Sequence, residues 1–321
     1  MDRCVRARRC YARTVTALGD ASTHECSTHL NALSTSSPIR AAILTWYATA
    51  KRDFPWRGTR DPYAVLVSEV MLQQTQALRV AERYVRFVAR FPTAESLATA
   101  SPAAVLAEWT GLGYNRRALA LQRAAGEVWR RGWPSDVAGL ERLPGVGPYT
   151  ARAVASLAFG IPVGVVDTNV RRWLLRRFGG PDEPRRLQSL ADSLALDGRG
   201  GEVAAWTHAT MELGAAVCRA RAPLCDTCPI GDGCPSRGVA SSVPVPRQPP
   251  LGGSDRAVRG ALVRDLAAAP AHDLAEAAAR SGIGPALDDD RWERIVGGLE
   301  RDGLVHRSGG RLRLGAATIG R

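Results

Sequence analysis

Apolar residues recur at helical spacing from Ile39 to about Arg237, with short loops and none of the alternation that is typical of strands. The pair Asp61-Pro62 predicts a helix start, because aspartate caps helix N-termini and proline fits the first turn. The triplet Gly111-Leu112-Gly113 predicts a break before another helix, from Arg116 to about Arg130. We therefore predict an all-α core over residues 38–238.

The pattern changes at the C-terminal end of this core. Residues 239–253 are rich in Ser, Pro and Gly, which predicts a linker. Within residues 254–321, helical patterns at about 255–268, 272–281 and 289–302 precede two short strand-like runs joined by a Ser-Gly-Gly turn. This order is typical of a small winged-helix-like unit, which could bind DNA, bind a protein or brace the core.

The first residues of the chain differ from the rest in composition. Residues 1–37 are arginine-rich and then Ser/Thr-rich, which predicts a disordered extension. A misplaced start codon and an organelle transit segment are the alternatives.

A glycine-rich hairpin occupies residues 143–148, with the sequence Leu-Pro-Gly-Val-Gly-Pro. Apolar helical faces lie on both sides of it, and its own side chains are too few to pack a core. Gly145 and Gly147 expose backbone N–H groups to which an anion can approach closely. The segment therefore predicts a helix–hairpin–helix motif that grips a nucleic-acid phosphate.

The charge of the chain agrees with a polyanionic partner. The 321 residues carry a formal net charge of +12, and Lys51 is the only lysine, so the basic charge is almost all arginine. No apolar run approaches the ~20 residues that span a bilayer, and the basic N-terminus lacks the apolar segment of a secretory signal. We expect a cytoplasmic protein, nucleoid-associated in a prokaryote, whose cysteines serve metal or redox chemistry.

Four cysteines form a spaced group after the helical core. Their spacing is C-x6-C-x2-C-x5-C, and the residues are Cys218, Cys225, Cys228 and Cys234. Spacing alone leaves a structural zinc and a [4Fe–4S] cluster equally open. The helix–hairpin–helix motif upstream favours the iron–sulfur cluster. Cys4, Cys10 and Cys26 lie outside the pattern and are not expected to bind it.

Six segments between residues 39 and 237 resemble the adenine-specific mismatch glycosylases (the MutY type) of the endonuclease III superfamily of DNA glycosylases. They are Phe54-Pro55-Trp56-Arg57, Asp61-Pro62-Tyr63, Ser68-Glu69-Val70-Met71-Leu72-Gln73-Gln74-Thr75-Gln76, Gly111-Leu112-Gly113-Tyr114, Leu143 to Ala151, and Met211-Glu212-Leu213-Gly214-Ala215. The resemblance implies a helix–hairpin–helix glycosylase fold, double-stranded DNA as partner and a [4Fe–4S] cluster that is structural and contacts DNA.

Two carboxylates carry the expected chemistry. Adenine is a poor leaving group until a ring nitrogen is protonated, which requires a carboxylic acid of raised pKa. Glu69 lies among Leu66, Val67 and Val70, surroundings that would raise its pKa, and once ionised it could orient the attacking water. Asp167, before an arginine-bearing helix, is the candidate that stabilises the oxocarbenium-like sugar. Taken alone, Glu69 could be a surface residue and Asp167 an N-cap.

Tyr149 occupies the position at which bifunctional members of the superfamily carry a lysine nucleophile. Without that amine we predict base removal with little or no strand cleavage. Thymine- and uracil-removing relatives can also carry tyrosine here, so Tyr149 does not establish adenine as the substrate.

The remaining site residues follow from the resemblance. Gln74 and Leu112 are wedge candidates, Tyr114 would enter the base stack and Thr75 would contact the orphaned base. The residues expected to line the adenine pocket are Arg52, Phe54, Trp56 and Arg57. Without the resemblance, Phe54, Trp56 and Tyr114 would be interpreted as core aromatic residues. Arginines 171, 172, 176 and 177 are predicted to contact phosphates, and a solvated basic face is the alternative.

Four features depart from the family pattern. Asn115 replaces an aromatic residue, His208 replaces a glutamine or glutamate that touches adenine, and Thr168 replaces a glycine. Residues 254–321 are too short and too helical for the Nudix-like domain that reads 8-oxoguanine in many members.

These observations together predict a monomeric, monofunctional glycosylase that removes adenine mispaired with 8-oxoguanine or guanine during base excision repair. A thymine or uracil mismatch glycosylase is the nearest alternative enzyme. A non-catalytic iron–sulfur DNA-binding sensor is the alternative from another class.

Overall fold

The computed structural model describes residues 38–196, 201–239, 252–268, 271–273 and 288–315. The predicted extension over residues 1–37, with its three cysteines, lies outside the described residues, as does most of the predicted linker. No helix in the described part of the chain is both long enough and apolar enough to cross a membrane.

Helices dominate the region up to residue 239, as the hydrophobic pattern predicts. They are α1 (38–50), α2 (Pro62–Leu72), α3 (Ala77–Arg90), α4 (Ala94–Thr99), α5 (Pro102–Trp109), α6 (Arg116–Arg131), α7 (Val137–Glu141), α8 (Pro148–Leu157), α9 (Thr168–Phe178), α10 (Pro184–Ala195) and α11 (Gly201–Glu212). A π-helical turn, Leu213–Val217, continues α11 toward the cysteines. The fold class is confirmed for this region.

Local capping residues explain where one key helix begins and another ends. The Asp61 carboxylate accepts hydrogen bonds from the backbone N–H groups of Tyr63 and Ala64, which fixes the start of α2. Helix α6 ends at Gly132, whose φ of 79° is the left-handed conformation that favours glycine. Both boundaries agree with the predictions from the sequence.

Two hydrophobic clusters hold the helices together. The larger joins α2 to α8, with Leu66, Phe87 and Trp109 at most 1 % exposed. The smaller packs Ile43 of α1 against Trp173 and other apolar residues of α9 to α11, and it includes Ile230 of the cysteine loop. Helix α1 therefore completes the core beside the four cysteines.

The C-terminal unit contains helices α12 (Asp255–Ala268) and α13 (Asp289–Arg301) and strands β1 (Ala271–Asp273), β2 (Val305–Ser308) and β3 (Arg311–Leu314). The strands form an antiparallel sheet in the order β1-β3-β2, in which Ala271 pairs with Arg313 and Val305 with Leu314. Its buried residues belong to the same hydrophobic cluster as α2 to α8, and α12 packs on α5. The small unit is therefore docked on the helical core.

One predicted boundary in this unit differs from the structure. The pattern at about 272–281 predicts a helix, whereas residues 271–273 form an edge strand beside β3, so no helix begins at residue 272. Backbone pairing with β3 overrides the helical pattern at these positions. Residues 274–281 lie outside the described part of the chain.

Candidate active site

The predicted hairpin joins α7 to α8. Gly145 has a φ of 77°, and a Cβ there would lie 2.6 Å from the Cβ of Ala120, so the position requires glycine. Val146 is 6 % exposed and anchors the hairpin in the core. Gly147 is exposed and directly precedes Pro148, the first residue of α8, so the hairpin ends at a helix N-terminus, the kind of position at which anions bind.

Glu69 lies in the middle of α2 and is 3 % exposed, so the surface interpretation of this residue is wrong. The phenol of Tyr149, the second residue of α8, donates a hydrogen bond to its Oε2 at 3.0 Å. Burial raises the pKa of Glu69 to about 7, the hydrogen bond from Tyr149 opposes the rise, and the charge of Asp167 adds to it. A carboxyl group of this kind exchanges a proton near neutral pH.

Asp167 caps α9, as the simplest interpretation of the sequence predicts. Its carboxylate accepts hydrogen bonds from the backbone N–H of Val170 at 2.6 Å and from Asn169 Nδ2 at 2.8 Å. Burial raises its pKa, while these hydrogen bonds and the Arg172 guanidinium lower it. Because its charge acts on Glu69, the cap is also a neighbour of the buried acid, and the two roles are compatible.

Tyr149 completes a cluster with the two carboxyl groups. Burial raises the pKa of its phenol well above the usual range, and the charges of Glu69 and Asp167 add to this effect. The hydroxyl therefore stays protonated and donates to Glu69. The structure brings together the three residues that the sequence singled out for catalysis, although they come from α2, α8 and the start of α9.

Arg117 on α6 belongs to the site although no sequence motif points to it. Its guanidinium donates to the carbonyl oxygens of Val70 at 2.7 Å and Gln73 at 2.5 Å, at the end of α2. It also donates to the Gly113 carbonyl oxygen at 3.1 Å and the Thr75 hydroxyl at 3.2 Å. One side chain thus ties the helix that carries Glu69 to the loop over residues 110–115.

We expect Arg117→Met to lower the free energy of unfolding by about 3 kcal/mol, because carbonyl groups that now accept from a charged donor lose it. Urea denaturation measures the change. Arg123→Met on the same helix is the control, since Arg123 is exposed, and its change should stay within about 0.5 kcal/mol. Equal losses in both variants would mean that Arg117 is an ordinary surface arginine.

Two adjacent loops carry the predicted wedge residues. Gln74 has a φ of 55° and Tyr114 a φ of 46°, a left-handed conformation that is strained for residues other than glycine. Gln74 and Tyr114 are exposed, the latter by 40 %, whereas Leu112 is 4 % exposed and its carbonyl accepts from Arg117. The Thr75 hydroxyl also lies 3.4 Å from that carbonyl oxygen. Gln74 and Tyr114 are therefore accessible as they stand, whereas Leu112 would have to leave the core to act as a wedge.

Two of the predicted adenine-pocket residues, Arg52 and Arg57, meet at a second buried acid. Glu212, at the end of α11, is completely buried and forms ion pairs with Arg52 and Arg57. Arg57 also donates to the Tyr47 hydroxyl at 2.8 Å. Glu212 lies in the segment Met211-Glu212-Leu213-Gly214-Ala215, and the sequence pattern alone indicates no role for it. It fixes the side chains of both arginines.

The aromatic residues beside these arginines are part of the core. Trp56 is 5 % exposed and stacks on Phe54 with ring centroids 4.9 Å apart, and both guanidinium groups lie over the Phe54 ring. His208 is 9 % exposed, and burial together with the charge of Arg57 lowers its pKa to about 3. The imidazole is therefore neutral at physiological pH.

The phosphate-binding role predicted for Arg172 and Arg176 is wrong. Both are almost fully buried, and both hold the cysteine loop: Arg172 donates to the carbonyl oxygens of Cys218 and Gly214, and Arg176 to those of Arg219 and Ala220. Helix periodicity cannot distinguish a solvated basic face from one that another segment covers. Arg172 also donates to Asn169, which bonds Asp167, so the loop and the candidate catalytic aspartate share one network.

The four cysteines of the loop are free thiols in partly buried positions. Burial raises the pKa of Cys228, the neighbouring thiols add to the rise, and a hydrogen bond from the Ile230 backbone lowers it. Arg176 donates to the sulfur of Cys218 at 3.4 Å. Among the residues that the structure describes, no group of three or more His, Cys, Asp or Glu side chains is arranged to hold a metal ion.

Comparison with known proteins agrees with this geometry. Residues 67–195 match the HhH-GPD superfamily of base excision DNA repair proteins. Two endonuclease III–DNA complexes share the fold, with TM-scores of 0.53 and 0.54 at 23 % and 24 % identity, and each covers more than 60 % of this chain. The helix–hairpin–helix motif and the family match together indicate a protein of the HhH-GPD superfamily of base excision DNA repair proteins.

The curated relatives identify the branch. A protein named adenine DNA glycosylase from Mycobacterium tuberculosis is 41 % identical over 279 residues, which cover 83 % of this chain and 90 % of the relative. The human protein of that name is 43 % identical over 217 residues, 62 % of this chain and 39 % of the human protein. The chain belongs to the adenine DNA glycosylase family.

Pyrimidine-specific relatives are also present. A thymine/uracil-DNA glycosylase from Methanothermobacter thermautotrophicus is 34 % identical over 203 residues, 60 % of this chain and 90 % of the relative. The structure of a thermostable thymine-DNA glycosylase superposes with a TM-score of 0.58 at 32 % identity, over 63 % of this chain and 96 % of that one. Because of these matches, a test of function has to include thymine and uracil mismatches as well as adenine mismatches.

Proposed function

We propose that this protein hydrolyses the N-glycosidic bond of adenine mispaired with 8-oxoguanine or guanine in double-stranded DNA, as a monofunctional enzyme of base excision repair. The observation that carries the proposal is the buried Glu69, whose pKa near 7 and hydrogen bond to Tyr149 suit an acid that protonates a purine nitrogen. Chromosomal DNA as substrate implies action in the cytoplasm, at the nucleoid in a prokaryote.

In the proposed mechanism, protonated Glu69 transfers its proton to a ring nitrogen of the extruded adenine. The bond between the sugar C1′ and the base then breaks, and its electron pair leaves with adenine. The Asp167 carboxylate stabilises the oxocarbenium-like sugar. Ionised Glu69 next accepts a proton from water as the water oxygen bonds to C1′, which restores the acid and leaves an abasic site.

Tyr149 supports hydrolysis without strand cleavage. A phenol that stays protonated and donates to Glu69 is not available as a nucleophile. A Schiff base requires an amine, and Lys51, the only lysine, lies just after α1 rather than on α8 beside Glu69. We infer that the abasic product remains in an intact strand until alkali breaks it.

The four cysteines of one loop are the kind of donor set that a [4Fe–4S] cluster uses. The Arg176 guanidinium donates to the sulfur of Cys218, and a backbone hydrogen bond from Ile230 acts on Cys228, as donors around cluster sulfurs do. Cys218, Cys225, Cys228 and Cys234 would hold it, and it would supply structural cross-linking of the loop. Arg172 and Arg176 anchor that loop to α9.

The experiment that tests the proposal is single-turnover reaction of five duplexes, carrying A:8-oxoG, A:G, A:C, T:G and U:G, each with and without alkali. We expect adenine release from the first two and strand breakage only after alkali. Release of thymine or uracil instead would replace the proposal by the pyrimidine-specific alternative. Tight binding without an abasic product from any duplex would favour the DNA-binding sensor.

We expect kcat/KM for adenine release to fall as pH rises through about 7, because only protonated Glu69 can donate and its pKa is raised to about 7. Well above that pH the decline should reach about tenfold per pH unit. Single-turnover rates, with enzyme in excess of DNA but below saturation and at constant ionic strength, measure kcat/KM at each pH. A rate that stays constant from about pH 6 to pH 9 would contradict the role of Glu69 as general acid.

A further inference from the structure

A wide groove of about 1130 Å³ lies where the C-terminal unit meets the helical core. The core side is formed by residues 73–76 and 110–117, the two loops that carry Gln74 and Tyr114. The opposite side is formed by α12 and α13, with Leu304 following them. The two sides belong to regions that the linker separates in sequence.

Positive charge dominates the lining of this groove. Its one acidic residue is Asp302, and its basic residues are Arg79, Arg116, Arg117, Arg256, Arg259, Arg264 and Arg301. An excess of this size at one surface favours a polyanionic ligand.

Some of these arginines are already bound to groups of the protein. Asp302 pairs with Arg259 and with Arg116, the latter at 3.5 Å, and Arg117 is held by backbone carbonyls. Arg79 and Arg301 are exposed, and neither makes an ion pair with any residue in the described ranges. The Arg264 side chain is 63 % exposed, and its Nε lies 3.8 Å from Oδ1 of the neighbouring Asp265. A surface ion pair of this length contributes little, so Arg264 remains able to bind a ligand.

The position of the groove selects the strand that can reach it. Glu69, Tyr149, Asp167 and the hairpin glycines do not line it. It begins at the loop after α2, where the exposed Gln74 and Tyr114 stand at the edge of the site. Because the residues expected to hold the adenine and its strand do not line the groove, the complementary strand is the part of the duplex left to occupy it.

We propose that this groove binds backbone phosphates of the DNA strand opposite the target adenine, through Arg79, Arg264 and Arg301. The C-terminal unit thereby extends the DNA-binding surface of the helical core across the duplex. This inference rests on the proposed action on adenine in duplex DNA, but it does not depend on the chemistry of release.

The test uses the full-length chain with Arg264→Gln/Arg301→Gln, and a duplex whose target nucleotide is 2′-fluoro-2′-deoxyadenosine, which resists hydrolysis because fluorine disfavours the sugar cation. We expect Kd to rise at least tenfold at about 0.1 M salt, and the slope of log Kd against log salt to decrease by about 2, as expected for two lost phosphate contacts. Arg264→Lys/Arg301→Lys should bind nearly as the wild type does.

Neutral methylphosphonates identify the strand. Placed in the strand opposite the adenine, they should weaken binding by the wild type but add little to the loss in the Gln double variant. Placed in the adenine strand, they should weaken both proteins equally. Arg123→Gln/Arg185→Gln removes the same charge from exposed positions outside the groove and should bind nearly as the wild type does.

Four outcomes would overturn the proposal: unchanged binding by the double variant, an equal loss in the charge-matched control, coupling to the adenine strand instead, or a change in thermal unfolding midpoint that accounts for the loss. Unchanged DNA binding would leave the groove to a protein partner. Because the duplex is not hydrolysed, the result is independent of the five-duplex assay. Failure of the groove proposal and failure of the proposed reaction are therefore distinguishable.

Discussion

Glu69→Gln is expected to lower the single-turnover rate of adenine release by about 10⁴-fold, because the residue acts as acid toward adenine and as base toward water. The same substitution is expected to raise the free energy of unfolding at about pH 8 by about 3 kcal/mol. A variant that loses activity while gaining stability would identify Glu69 as a residue kept for chemistry at the expense of the fold.

The gain in stability follows from the raised pKa. The pKa of Glu69 rises from 4.5 to about 7 on folding, so the folded state holds a proton that the unfolded chain releases. Stability from this group is fully present below about pH 4.5, declines between the two values, and is lost above about pH 7. Glutamine carries no charge to bury and can still accept the hydrogen bond of Tyr149. The difference between variant and wild type should therefore grow with pH and level off above about pH 7.

Glu212→Gln is the matched control, because Glu212 is equally buried but is paired with Arg52 and Arg57. Removing its charge leaves the largely buried Arg57 without its partner, so we expect the free energy of unfolding to fall by about 2 kcal/mol. Urea denaturation over a range of pH values, alongside the rate of adenine release, measures both variants. A Glu69→Gln protein that is less stable than the wild type at pH 8 would contradict the raised pKa.

Local motifs explain why much of the site could be predicted from the sequence. The hairpin glycines, the acid within an apolar helix and the aspartate before α9 each lie in a short segment whose geometry depends on near neighbours. The buried surroundings of Glu69 follow from Leu66, Val67 and Val70 on its own helix. The position of Tyr149 beside Glu69 required the resemblance to a known family, because the two are 80 residues apart.

The residues that the sequence did not reveal act over long separations. Arg117 binds backbone carbonyls 44 to 47 positions away, and a carbonyl leaves no signature in sequence. Arg172 and Arg176 were predicted to meet phosphate because their helix has a basic face, and that face is covered by the segment at residues 214–220. Helix periodicity defines a face, but only the tertiary fold decides what lies against it.

Asp167→Asn is expected to separate the two roles of this residue. Asparagine caps helices about as well as aspartate, and its side-chain oxygen can accept from the Val170 backbone as the carboxylate does. The amide would lose the hydrogen bond from Asn169, which Arg172 holds in its present orientation, so we expect a cost of about 1 kcal/mol in stability. A residue that served only as a cap would show this small loss and no other.

The rate of adenine release should nevertheless fall by about 10³-fold in Asp167→Asn. A carboxylate about 4 Å from the sugar cation contributes about 4 kcal/mol at an effective dielectric constant near 20, and the neutral amide contributes little of this. Asp136→Asn is the matched control, because Asp136 caps α7 through Gly139 in the same manner, and its charge is not among those that shift the pKa of Glu69. Single-turnover rates and urea denaturation of both variants measure the comparison. If Asp167→Asn released adenine within about tenfold of the wild-type rate, Asp167 would be a cap alone, and stabilisation of the cation would have to come from another group.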